Sequence, residues 1–311
     1  GNAPVHKPSS TGVSADLALL LNGNVAEANN IQALQLDGFQ VGSHQRVNTS
    51  TDPNVYHWVA FGPHTPTTSY RSIGETATIV GAGGSGVNVT QGSTVVDAAS
   101  ATWLTSKRGR GDVIVIPCPD PTTCTGGVAY TVAAVLSQTQ LVLTQPYQGA
   151  TQSGLSAMVR RQLASPTAWE DCIDGPGGTA CPYFPPSTNS LVTDNREEVG
   201  ILYNDGAYHP GGFLIDGSVT DASHGITLTV DPGHRHSGVP HLSAPYTHAV
   251  VQNEASGVPA IDVRDDHVTI EWLEVYNRRG TSGIAISNLT AGSNEVVVRQ
   301  NLVRGGSGQG I

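Results

Sequence analysis

Lysine is almost missing from this chain. Lys7 and Lys107 are the only two among 311 residues, and all charged residues together make up 13%. The formal balance is −10, the wrong sign for a protein that binds nucleic acid by neutralising phosphates, so that class is excluded. No run of 18 apolar residues occurs, which excludes a membrane-spanning helix. Helical apolar periodicity is missing as well, apart from a short stretch from Ala15 to Leu21, so alternating βαβ units are excluded. None of the four cysteines sits in a CxxC pair or beside a histidine at zinc-site spacing, and no metal site is expected from them. "GAGGSG", from Gly81 to Gly86, leads into neither a helix nor a Lys-Ser/Thr pair, so it is read as a linker and not a phosphate loop.

What remains is rich in glycine, threonine, serine and valine, an all-β composition. The clearest pattern is near the C-terminus. Val268 and Ile270 alternate with Thr269 and Glu271, as in a strand with one buried face. The parity changes at Trp272, and Leu273 and Val275 continue on the new one, which predicts a sharp corner. A turn at Gly280 to Gly283 and a short strand at Ile284 and Ile286 follow. The scheme restarts at Val296, Val298 and Val303. Short strands and glycine turns repeating at this interval predict a solenoid, specifically a right-handed parallel β-helix with three strands per coil. No Asn-Gly or Asp-Gly turn joins these segments as a hairpin would require.

Three parts are expected. Residues 1–70, with "LQLDGFQVG" and "YHWVAF", resemble a small β-sandwich module of large secreted bacterial proteins. Residues 73–162, with "TWL", "GDVIVI" and "SQTQLVLTQPYQG", resemble a compact β-barrel spacer of phage tail-associated and bacterial surface proteins. Residues 165–311, with "AWED", "LVTDNREEVGILYND", "GSVTDASHGITLTV" and "EWLEV", resemble the start of right-handed, pectate-lyase-like β-helix domains of secreted proteins. The last resemblance implies Val199 to Leu202, Phe213 to Ile215 and Ile226 to Val230 as early coil strands. It also implies a helix around Trp169 to Asp171 over the first coil and a projecting loop at about 232–248.

Cysteine placement points outside the reducing cell. Cys118 and Cys124 flank "PDPTT", and Cys172 and Cys181 flank "IDGPGGTA", so two loop-closing disulfides are expected. Asn48, Asn88 and Asn288 begin glycosylation sequons, which arise often by chance in a chain so rich in serine and threonine. An extracellular or cell-surface location follows, and calcium is the cation an aspartate-rich exterior would take.

Candidate chemistry is thinner. Lyases with a β-helix shape use calcium-bound carboxylates and a basic residue on one exposed sheet. The weak catalytic candidates on that analogy are Asp266, Glu271 and Arg279, among the outward charges Asp262, Asp265, Glu274, Arg264, Arg278 and Arg299. The commoner role of such alternating charges is to solvate the outer face of a coil. His234, His236, His241 and His248 cluster in a proline- and glycine-rich loop whose spacing fits no standard metal motif. Trp58, Trp103, Trp169 and Trp272 fall in apolar patterns, where core packing is the ordinary role.

After Val303 no helix, proline or lysine blunts the last rung, and an open rung pairs readily with further coils, another copy or a donated strand. Leu17, Leu19 and Leu21 form the candidate donor strand. The expectation is a structural filament or adhesin segment that forms homo-oligomers or polymers and contacts polysaccharide. A calcium-dependent polysaccharide lyase or glycoside hydrolase, and a phage-like tail fibre or spike, are the alternatives.

Overall fold

The computed structural model describes residues 65–74, 86–117, 127–174, 181–241, 246–287 and 295–305, together with the strand backbones in 1–64. It divides into two units, Gly1–Thr65 and Pro66–Ile311. In the first unit β1 (Val5–His6), β2 (Leu17–Leu20) and β3 (Ala26–Ala28) form an antiparallel sheet in that order, and β4 (Ile31–Gln35) pairs with β5 (Gly38–Val41). Leu17 and Leu19 lie on β2, both of whose edges are occupied by strands of the same chain. Leu21, Asn48 and Trp58 lie outside the described residues.

The second unit begins with β6 (Thr67–Ile73) and then builds an antiparallel sheet. Its strands are β7 (Val87–Val89), β8 (Val95–Asp97), β9 (Val113–Ile116), β10 (Val128–Val135), β11 (Gln140–Leu143), β12 (Gln152–Leu155) and β13 (Met158–Arg160), in the order β12-β7-β8-β11-β10-β9-β13. It curls around its own core of Trp103, Ile114, Tyr130, Val132, Leu141 and neighbours. Alternation drives this: Val87 and Val89 are buried and Asn88 between them is exposed.

The chain then winds through three parallel sheets. Helix α1 (Pro166–Ile173) and the single turn α2 (Leu191–Asp194) precede β14 (Arg196–Leu202), β15 (Ala207–Tyr208) and β16 (Phe213–Ile215). The next coil holds β17 (Ile226–Val230), β18 (Val250–Asn253) and β19 (Ile261–Val263). A third holds β20 (Val268–Glu271), β21 (Glu274–Asn277) and β22 (Ile284–Ile286), and β23 (Val296–Arg299) and β24 (Leu302–Gly305) open a fourth. Sheet I runs β6-β14-β17-β20-β23, sheet II β15-β18-β21-β24 and sheet III β16-β19-β22, every neighbour parallel. The protein is therefore all-β, with a three-sheeted parallel coil whose first rung in sheet I is supplied by β6, from before the antiparallel sheet.

Inward residues of successive rungs stack: Ile226 on Val268 and Val268 on Val296 in sheet I, Val251 on Val275 in sheet II, and Ile261 on Ile284 in sheet III. Residues of all three sheets contribute to one core cluster. Asn253 and Asn277, both fully buried, form a ladder between sheet II rungs, Asn253 Nδ2 donating to Asn277 Oδ1 at 3.2 Å. Over the first coil lies α1, capped by Ser165, whose side chain accepts from Ala168 N. Its Trp169 is fully buried and rests on Gly200 of β14, where even a Cβ would come within 2.7 Å of the indole. The disulfide between Cys172 and Cys181 ties the end of α1 to the segment that follows, while Cys118 and Cys124 lie outside the described residues.

The parity change at Trp272 is a corner: Trp272 has φ +64°, and its counterpart one coil on, Gln300, has φ +55°. Side chains rarely adopt this region. Asn301 stabilises the turn, accepting from Leu273 N at 2.9 Å and donating to Ile270 O at 2.8 Å. Coil length is not constant. Glu198 pairs with Ile226 and Val268 with Val296, 28 positions on in both cases, whereas Ile226 pairs with Val268, 42 positions on. Much of the excess is the loop between β17 and β18, which carries the four clustered histidines.

A buried ionic clamp joins the antiparallel sheet to the coil. Arg161, after β13, bonds Asp112 at 2.9 Å and Asp205 at 2.7 Å, with its guanidinium carbon 3.5 Å from the centre of the Tyr203 ring. Tyr203 in turn donates to Arg110 O at 2.7 Å. Arg108 lies 3.9 Å from Asp112. Burial raises the Asp112 carboxyl above its ordinary range, outweighing the two arginines. No helix among the described residues is long and apolar enough to cross a membrane.

Candidate functional site

The outer face of sheet I forms the floor of a shallow groove. Glu197, Val199, Thr227, Thr269 and Val297 line one end of it, and Val199, Ile201 and Thr229 continue it towards the antiparallel sheet. These are the outward partners of the stacked core residues, so the pleat that builds the core also presents the floor. Parallel pairing sets Thr227 beside Thr269, giving a row of hydroxyls. Glu197 and Glu295 line the first end; Glu197 accepts from Thr68 at 3.1 Å, and Glu271 nearby on the same sheet takes Thr229 at 2.9 Å and Arg299 at 2.8 Å.

The walls are different. One carries Leu104, Arg108 and Arg110 from the antiparallel unit, and the other Asp231, Pro232 and Arg235 from the long loop. Arg110 lies over the Tyr70 ring at 4.8 Å and spends its Nε on Ala133 O. Arg235 lies over Trp272 at 4.6 Å and spends its Nε on Val230 O. Neither has a carboxylate partner among the described residues. A chain with formal charge −10 therefore turns two guanidinium groups, each over an aromatic ring, towards one groove.

The long loop is fastened along the corner between sheets I and II. His234 Nδ1 accepts from Asn204 N at 3.2 Å in the first coil. His236 bonds Gln300 O at 2.9 Å in the last. Between them His248 and Arg304 both bond the fully buried Glu274, which also accepts from His241 N at 2.9 Å. Burial alone would raise the Glu274 carboxyl, but these hydrogen bonds, His248 foremost, outweigh it and hold Glu274 below the usual range. Burial pushes His234 the same way, below the ordinary histidine value. The loop expected to project from the coil is thus strapped to it.

The histidines form no three-ligand metal group among the described residues. The one that does occur there is Glu170, Asp174 and Asp265, near the cap helix. Of the catalytic candidates, Asp266 lies in the turn between β19 and β20, where its carbonyl accepts from Thr220 at 2.8 Å. Glu271 ends β20, and Arg279 is exposed in the turn after β21. Glu271 is paired with Arg299, one rung away, while Arg278 beside Arg279 pairs with Glu254. Asn88 is exposed on β7, its side chain accepting from Gly154 N at 3.1 Å; Asn288 lies outside the described residues. Trp103 and Trp169 are buried in the cores, whereas Trp272 is partly exposed beneath Arg235. Arg110, Arg235 and Tyr70 did not stand out in sequence, because nothing there shows that residues so far apart share a groove.

No protein-family model matches the chain, and no curated protein sequence does. One solved structure found to be similar is the Gp54 tailspike of Acinetobacter baumannii bacteriophage AP22, in complex with an A. baumannii capsular saccharide. The identity is 10% and the TM-score 0.21, with 71% of this chain and 43% of that chain covered. The chain thus spans less than half the length of that protein, and a likeness at this level carries no argument about what this chain binds.

Proposed function

We propose that this chain is a segment of an extracellular fibre- or filament-like protein that holds an acidic polysaccharide in the groove over sheet I. The observation that carries the reading is the pair Arg110 and Arg235, on opposite walls, stacked on Tyr70 and Trp272 and without carboxylate partners among the described residues. Guanidinium forks match carboxylate and sulfate groups, partly exposed aromatic faces suit sugar rings, and a floor of threonine hydroxyls suits hydroxyl-rich chains. Around Arg110 and Arg235 three arginines line the groove against one aspartate, Asp231, while Glu197 and Glu295 line the far end, so an anion would sit at the arginine end. The disulfide between Cys172 and Cys181 supports an oxidising location.

The test is binding to immobilised polygalacturonate, alginate and hyaluronan, with neutral dextran as the control. Acidic polymers should bind, and binding should weaken with salt. Arg110→Ala and Arg235→Ala should each weaken it about tenfold, the loss of one charge-assisted hydrogen bond of about 1.5 kcal/mol. Equal binding to dextran, or unchanged affinity in both variants, would overturn the reading. Release of unsaturated product would make the groove a lyase site. Assembly of copies through strand edges is the structural half of the proposal. β23 and β24 each pair on one side among the described residues. Their free backbone would accept the continuation of this chain or a strand of another copy. Ordered polymers in negative-stain images would support assembly, and a monomer at every concentration by analytical ultracentrifugation would remove it.

A further inference from the structure

The last turn of α1 gathers negative charge that nothing nearby neutralises. Glu170 and Asp174 stand four residues apart on one helix face, a spacing at which like charges repel. Asp174 is the C-cap of α1, and no basic residue occupies the last turn, so both carboxylates sit at the negative end of the helix dipole. Asp265 joins them from the turn between β19 and β20. One oxygen from each of the three lies within 4.8 Å of the others.

Dipoles answer part of this charge. The turn between β16 and β17 donates Asp216 N to Glu170 Oε1 at 2.8 Å, Gly217 N and Ser218 N to Asp265 at 2.9 and 3.1 Å, and Ser218 Oγ to Asp174 Oδ1 at 2.7 Å. Glu170 is only 6% exposed, and its second oxygen, Oε2, is buried with no donor directed at it, while the Glu170 and Asp174 carboxyls lie close enough to share a hydrogen bond. The nearby guanidinium groups are spent elsewhere. Arg264 is on Asp262 and Asp216, while Arg196, which reaches Ile173 O, is paired with Asp194 and Glu198. The charges that bear on Glu170 are those of Asp174, Asp265 and Asp216, all of one sign; with burial as the larger cause, they push its carboxyl well above the usual range. Burial also pushes Asp265 up to about 6.

We propose that Glu170, Asp174 and Asp265 form a calcium site that fastens the cap helix α1 to the coil beneath it. The ligands are all oxygen, as a hard cation requires. Two oxygens on opposite sides of a calcium ion, each about 2.4 Å from it, are about 4.8 Å apart, so three oxygens that lie within 4.8 Å of one another can share one ion. Magnesium demands near-ideal octahedral geometry and gives up its waters reluctantly, so a cluster of three carboxylates suits it less well. A carboxylate oxygen that accepts a backbone N–H keeps a lone pair for the metal, so the turn at 216–218 acts as the shell that orients the ligands. The ion would join α1 to the turn that carries Asp265, and through Gly217 and Ser218 to the coil between them.

The experiment uses the whole chain stripped with EGTA and returned to neutral pH. Calorimetric titration with calcium chloride should show a site of about 0.1–1 mM affinity, the range of extracellular calcium modules. Millimolar calcium should raise the melting temperature by several degrees, and equal magnesium by less. Terbium should bind in its place and luminesce on tryptophan excitation, since Trp169 precedes Glu170. Glu170→Gln and Asp265→Asn should each remove that calcium equivalent and the terbium signal while circular dichroism stays unchanged. Should the buried Glu170→Gln fail to fold, Asp174→Asn, which alters the more exposed ligand, provides the same readout. Calcium stoichiometry and melting temperature that are equal in the wild type and a folded variant would overturn the proposal, and would leave a shared proton as what the cluster holds.

Discussion

The Arg161 clamp gives the sharpest stability test. Arg161→Met keeps the apolar stem and removes the guanidinium that faces Asp112 and Asp205. Asp112 is fully buried, and its remaining partners are Gly109 N at 3.0 Å and the more distant Arg108. Removing one member of a buried pair strands the other, at a cost of about 3–5 kcal/mol. For a unit of this size that is a fall in melting temperature of about 6–20 °C. Already raised by burial, the Asp112 carboxyl would be raised further once the opposing Arg161 is gone. Arg161→Met/Asp112→Asn should recover more than half of the loss, because the stranded charge has gone. Thermal unfolding followed by circular dichroism measures both. A single-variant loss under about 1 kcal/mol, or a double variant that merely sums two losses, would refute the idea that charge burial dominates here. Because Tyr203 connects the clamp to Arg110, the single variant should also weaken polysaccharide binding even where it remains folded.

Other outcomes follow from the same geometry. Gly200→Ala drives a methyl group into the buried Trp169 indole and should cost about 1–3 kcal/mol, read from the chemical denaturation midpoint. Reducing the disulfide between Cys172 and Cys181, which closes a short loop, should cost about 2.5 kcal/mol, seen as a lower melting temperature in dithiothreitol. His234 accepts a backbone N–H in its neutral form, and its folded value is lowered. Its contribution is therefore present above the unfolded value of about 6.5 and is lost as pH falls through the folded one. Melting profiles should show this acid loss in the wild type and less of it in His234→Gln. Asn277→Ala removes one acceptor of Asn253 Nδ2 and one of Gly280 N from the buried ladder and should cost about 1–3 kcal/mol by the same denaturation assay.

The coil was legible where side chains alternate without interruption. Val268, Ile270, Val296 and Val298 recur at the true rung spacing, and the parity slip at Trp272 marks a left-handed corner residue. The strands β18 and β19 were harder to see. "VVQN" is buried at all four positions and so does not alternate, and the long coil pushes both strands out of phase with the repeat. The helix around Trp169 is longer than the sequence indicated, because Pro166 at its start and the Ser165 cap extend it by a turn. Of the charges expected to face outward, Arg278 and Arg299 do, whereas Glu274 is fully buried and Asp265 nearly so, and the partners of none were visible. Pairing Glu271 with Arg299 requires knowing the register, and setting Arg110 opposite Arg235 requires knowing that the antiparallel unit docks beside sheet I. The acidic cluster joins two residues at the end of the helix to Asp265, in a coil turn 91 positions beyond Asp174, a proximity that only the winding of the chain creates.

One coil being longer than its neighbours has a practical corollary. Hydrogen bonding between rungs fixes where each strand must re-enter its sheet, yet places no limit on how many residues detour at a corner before it does. Recognition chemistry can therefore diversify at the bend between β17 and β18 while the stack above and below stays in register. Exchanging that detour for another of different length and charge is a route to altered ligand preference on an unchanged scaffold.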